Sequence, residues 1–106
     1  MTKFMVRANY TVQGMVGLGR EGGTGRAEII YSLVENAGGR VEALYFAFGD
    51  HDLYLVGEMP DVVTAAALGV AVRSAGGVDA KVDMLITPEE MDEAVQRPIA
   101  YQPPGR

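Results

Sequence analysis

The sequence predicts an α+β domain in which two β-α-β units share one antiparallel sheet. Three observations point there. Segments alternating with period two occur at both ends and in the middle of the chain, and helical segments separate them. A turn, Gly49-Asp-His-Asp52, joins two adjacent strand-like segments as a hairpin. The two halves also echo each other: Ala37-Gly-Gly-Arg-Val-Glu-Ala43 resembles Ala75-Gly-Gly-Val-Asp-Ala80, apart from one inserted arginine. The doubled order β-α-β-β-α-β is the ferredoxin-like pattern, and right-handed crossovers place both helices on one sheet face.

Lys3 to Tyr10 is the first strand, with Phe4, Val6, Ala8 and Tyr10 on one face and Met5, Arg7 and Asn9 on the other. Thr11 is suited to cap the helix that follows, starting at Val12. Gly22-Gly23 is expected to divide that helix into two pieces. The second piece carries Ile30, Leu33, Val34 and Ala37 at helical spacing and stops at Gly38-Gly39. Arg40 to Phe48 and Leu53 to Glu58 are the hairpin strands. Asp61 caps a helix from Val62 to Ala75 that is apolar almost all round, which predicts cover on more than one side. Val78 to Ile86 is the fourth strand. Thr87-Pro-Glu-Glu90 is a full capping box opening a short helix to about Gln96, and a proline-rich tail runs from Arg97 to Arg106.

Composition narrows the function. A chain of 106 residues is read as one domain, residues 1–106. Net charge is −5 and no basic run exists, which excludes nucleic acid and an anionic membrane as expected partners. Cysteine is absent, so disulfide and thiolate chemistry are ruled out. With no signal-peptide apolar region and no uncharged run near ~18 residues, the expected location is cytoplasmic.

The stretch Gly17-Leu-Gly-Arg-Glu-Gly22 matches the dinucleotide fingerprint G-x-G-x-x-G by letter. That motif works when its first glycine directly follows a strand in a parallel unit. Here it lies some residues past the strand, a hairpin follows, and no acidic partner stands at the required strand end. The segment is therefore read as a helix break.

By the internal echo, Val41, Ala43, Tyr45 and Ala47 match Val78, Ala80, Val82 and Met84 and face the helices. Glu42, Leu44, Phe46 and Phe48 then share the open face with Met5, Arg7, Asn9, Asp79, Lys81, Asp83, Leu85, Asp52, Tyr54, Val56 and Glu58. So apolar a face implies an interface, and the expected partner is a second copy, sheet against sheet. Arg7, Asn9, His51, Asp52 and Tyr54 are the candidate ligand-binding residues. Arg7 would meet an acidic or carbonyl group, Tyr54 would stack or donate a hydrogen bond, and Asp52 would orient Arg7 or His51. The alternatives are a cofactor-independent monooxygenase or isomerase with His51 as base, and a purely structural module. No cofactor or metal is expected: one histidine cannot build a histidine-rich metal site, and its place between Asp50 and Asp52 suits haem ligation poorly.

Tyr10-Thr-Val-Gln-Gly14, Gly38-Gly39, Gly49-Asp-His-Asp-Leu-Tyr54 and Met59-Pro-Asp61 together resemble the GYD domain family of small bacterial proteins. Leu85-Ile-Thr-Pro-Glu-Glu-Met-Asp92 and Tyr101-Gln-Pro-Pro-Gly105 resemble a subgroup of it. The name-giving Gly-Tyr-Asp is altered here: Gly49 and Asp52 keep the outer letters, and Asp50-His51 replaces the tyrosine. The resemblance implies a dimeric α/β barrel, in which ferredoxin-like subunits pair through their sheets. It implies no particular activity.

Overall fold

The computed structural model describes residues 1–106. The elements in chain order are β1 (Thr2–Tyr10), α1 (Val12–Asn36), β2 (Arg40–Phe46), β3 (Leu53–Met59), α2 (Val62–Ser74), β4 (Val78–Leu85) and α3 (Pro88–Gln96). The strands form one four-stranded sheet in the order β2-β3-β1-β4, and every pairing is antiparallel. This is the ferredoxin-like α+β arrangement. No helix is long and apolar enough to cross a membrane.

Alternation along the strands sets the core. Phe4 and Ala8 of β1, Leu53, Leu55 and Met59 of β3, and Ala80 of β4 are buried beneath Val34 of α1 and Ala65 of α2. Both helices cover this one sheet face. α1 packs mainly on β2, and α2 mainly on β4.

The helix starts follow local chemistry. Thr11, Asp61 and Thr87 each accept a hydrogen bond from a backbone N–H in the first turn of their helix, satisfying a donor that the helix leaves free. At α3 the box is complete, because Glu90 Oε1 also accepts from the Thr87 N–H at 2.9 Å.

α1 breaks where the glycine pair predicts. Gly22 has φ 78° and ψ 162°, a conformation closed to residues with a Cβ except at a cost, and the helix resumes beyond it. Gly17 and Gly19 lie within the first helical piece, so their amides face along the helix and do not form a phosphate cradle. Gly14 has a different reason to be glycine. A Cβ there would fall well inside contact distance of the Gly77 carbonyl oxygen, where the start of α1 meets the start of β4.

One expectation is corrected, and another is met only in part within the single chain. β2 carries a bulge: Val41 pairs with Gly57 and Ala43 with Val56, so Glu42 is the extra residue. Beyond it the alternation inverts. Leu44 and Phe46 pack against the core, and Ala43 and Tyr45 take the open face, the reverse of the sequence assignment. Phe48 is fully exposed in the turn that follows. α2, expected to be covered on more than one side, buries only Ala65 within this chain. Its Val62, Val63 and Val70 are exposed.

Candidate functional site

The open sheet face is read row by row across β2, β3, β1 and β4. One row is Tyr45, Tyr54, Arg7 and Lys81; the next is Ala43, Val56, Met5 and Asp83. Leu85 lies beside Lys3 at the far end. The face therefore combines an apolar strip with charges at set positions.

At the far end, four charged side chains close on one another. Lys3 pairs with Glu42 and with Glu58 at 3.5 Å, and Arg40 Nε donates to Glu58 Oε2 at 3.0 Å. The Arg40 hydrogen bond is the main reason Glu58 titrates below its usual range. Lys3 is held above its usual value chiefly by its hydrogen bond to Glu42.

At the other end, three of the five candidate residues come together. Asn9 Nδ2 lies 3.3 Å from His51 Nδ1; with Asn9 as donor, the imidazole proton sits on Nε2. The His51 and Tyr54 rings meet edge to face, centroids 5.7 Å apart at 89°. Hairpin pairing explains the proximity, because Leu53 faces Ala8 and brings the turn over Asn9.

Arg7 is the cross-strand neighbour of Tyr54 but pairs elsewhere. Its Nε lies 2.9 Å from Asp83 Oδ2, and Nη2 donates to Oδ1 at 3.4 Å. The short Nε approach is an ion-pair contact without hydrogen-bond alignment. Asp52 also departs from expectation. Its carboxylate accepts from the Tyr10 N–H at 2.9 Å, and its own N–H donates to the Ala8 carbonyl at 2.9 Å. It needs a partner, as a half-buried carboxylate should, but the partner is backbone. It hydrogen-bonds neither Arg7 nor His51.

The residues sequence reasoning missed at this face are Tyr45, hidden by the bulge, and Asp83 as the partner of Arg7. Strand alternation already put Asp83 on the open face; only the β1–β4 register shows which arginine it meets. Lys81 forms no ion pair. No cluster of three or more acidic, histidine or cysteine side chains is placed to hold a metal ion.

A four-stranded antiparallel sheet with both helices on one face, and aromatic and paired charged side chains on the other, defines a ferredoxin-like α+β domain with an uncovered sheet. The chain belongs to the GYD domain family, whose model matches residues 4–95. No curated protein matches the chain.

Proposed function

We propose that this GYD domain protein is a self-associating, small-molecule-binding protein. Two copies stack open face to open face, and an organic ligand is held between the sheets or at their rim. The observation that carries the reading is the open face itself. Met5, Val56, Leu85 and Tyr54 form an apolar strip on it, and Tyr45 is 73% exposed. A face of this kind is characteristic of an interface. Only 9 of 106 residues are buried. So small a buried set suits a subunit that completes its burial against a copy of itself.

Arg7, Asn9, His51 and Tyr54 would line the polar end of the enclosed space. Asn9 and Tyr54 fix the His51 ring, leaving Nε2–H as a donor. Asp52 supports the hairpin rather than touching a ligand. A role for His51 as a catalytic base has no carboxylate partner behind the ring to strengthen it.

Light scattering at micromolar concentration tests the assembly, and native mass spectrometry of protein from its own cells tests the ligand. The wild type is expected to run as a dimer or larger, and Val56→Glu as a folded monomer. A monomeric wild type overturns the reading. A dimer that retains no small molecule supports the structural-module alternative instead.

A further inference from the structure

The opposite side of the sheet holds a separate feature. α1 and α2 leave a gap over the central strands, and beneath it lies a cavity of about 110 Å³. Ile30 and Leu33 of α1, Leu68 and Val72 of α2, and Leu55 and Val82 of the sheet wall it; 14 of its 16 lining residues are hydrophobic. The space is a pocket open to solvent on one side, where its lining residues Ile29 and Leu33 are exposed. By volume it matches about one aromatic ring, since an enclosed apolar cavity of ~150 Å³ takes up benzene.

The residues around the void leave it open where larger ones would fit. Ala8, Ala80 and Gly69 all line it. At Gly69 an added Cβ would lie 3.5 Å from Val82 Cγ2, an ordinary contact. The lining is polar only at the side chains of Tyr10 and Arg26. Arg26 uses Nε and Nη2 on Glu21, at 3.1 Å, 2.5 Å and 2.8 Å, which leaves Nη1 free. The clasp spans the break at Gly22. The glycine-rich stretch thus contributes to this cavity's rim.

We propose that this cavity is a binding site for a small neutral molecule, of roughly one aromatic ring, carrying one hydrogen-bond acceptor. The ring lies among the aliphatic walls, and the acceptor accepts a hydrogen bond from Tyr10 Oη–H or Arg26 Nη1–H. Charge selects against an anion. Glu21 already neutralises Arg26, and Glu21 and Asp52 both act on Tyr10 as negative neighbours. Burial, the largest influence on the Tyr10 phenol, pushes its pKa up, with Arg26 opposing. The phenol thus stays a donor at neutral pH.

Three probes of similar size separate the parts of this proposal: acetophenone, ethylbenzene and benzoate. Each is titrated into full-length protein while methyl resonances of Leu68, Val72 and Val82 are followed by NMR. Acetophenone is expected to shift them and to bind about fivefold tighter than ethylbenzene, the effect of one net hydrogen bond of ~1 kcal/mol. Benzoate is expected to leave them unmoved. Tyr10→Phe should weaken acetophenone without affecting ethylbenzene. Gly69→Val and Val72→Phe, which fill the space, should abolish both. Methyl signals unmoved by any probe, binding that survives in a folded filled variant, or benzoate binding as well as acetophenone would each overturn the proposal. If the filled variants fail to fold, Tyr10→Phe decides: unchanged acetophenone affinity overturns it. Self-association is measured in parallel and should not change, since the cavity and the open face lie on opposite sides of the sheet.

Discussion

Arg7 reaches diagonally across the β1–β4 ladder to Asp83, with Nε 2.9 Å from Oδ2, although its direct cross-strand neighbour there is Lys81. The side chains are 34% and 48% exposed in the single chain, so in water the pair contributes little, ~0–1 kcal/mol. In the proposed dimer a second sheet would cover and desolvate the same pair, and removing one member would strand the other. Arg7→Met is therefore expected to leave the melting temperature of dilute protein within a few degrees of wild type. It should weaken association at least ~10-fold, because breaking a covered charge pair costs ~2 kcal/mol or more. Sedimentation equilibrium reads the difference.

The glycines of α1 should respond to alanine in opposite directions. Gly17 and Gly19 are helical with open space at the Cβ position, so Gly17→Ala and Gly19→Ala should each stabilise by ~0.5–1 kcal/mol. Gly14→Ala meets the Gly77 carbonyl and should destabilise by ~1–3 kcal/mol. Gly22→Ala places a Cβ at φ 78° and should cost ~1–2 kcal/mol. Thermal melts by circular dichroism rank the four variants.

Acid should loosen the chain at three named places. Glu58 is held low first by its Arg40 hydrogen bond, and Asp61 and Glu90 first by the backbone N–H groups of Thr64 and Thr87. A carboxyl whose folded pKa is depressed contributes stability above its unfolded pKa and loses it as pH falls through the folded value. Stability is thus expected to decline below about pH 5. Glu90→Gln should remove part of that decline and lower stability at pH 7. Lys3, raised by Glu42, has the opposite sign: its contribution is present at neutral pH and lost in strong alkali. Urea melts at stepped pH measure these slopes.

The two faces of β2 give a further test. Leu44 points into the core, so Leu44→Ala should destabilise by ~2 kcal/mol or more. Tyr45 is 73% exposed, and Tyr45→Ala should barely change the stability of the single chain. Were the sequence alternation unbroken, the two results would be exchanged.

Those variants mark the boundary of what could be read from letters. Element order, the three N-caps and the break at Gly22 rest on local chemistry, within a few residues of one another, and all were legible. The inversion after Glu42 was not. A bulge is a property of two strands at once, and the echo between Val41-Glu-Ala43 and Val78-Asp-Ala80 concealed it. The partner of Asp52 was missed for a similar reason: side-chain logic offered Arg7, but the hairpin places the carboxylate against the amide of Tyr10. The cavity beneath α1 and α2 depends on how far apart two helices settle, which no spacing in the sequence records.

The bulge at Glu42 also bears on solubility. β2 is an outer strand of the sheet, and straight outer strands offer unpaired amides and carbonyls to any passing strand. An extra residue that kinks this border, flanked by Arg40 and Lys3, makes it a poor template for the ordered stacking that leads to fibrils. Deleting Glu42 would keep Val41, Leu44 and Phe46 facing inward, because Val41 and Ala43 already occupy successive positions opposite Gly57 and Val56. The shortened chain would retain its core and gain a straighter, more adhesive margin.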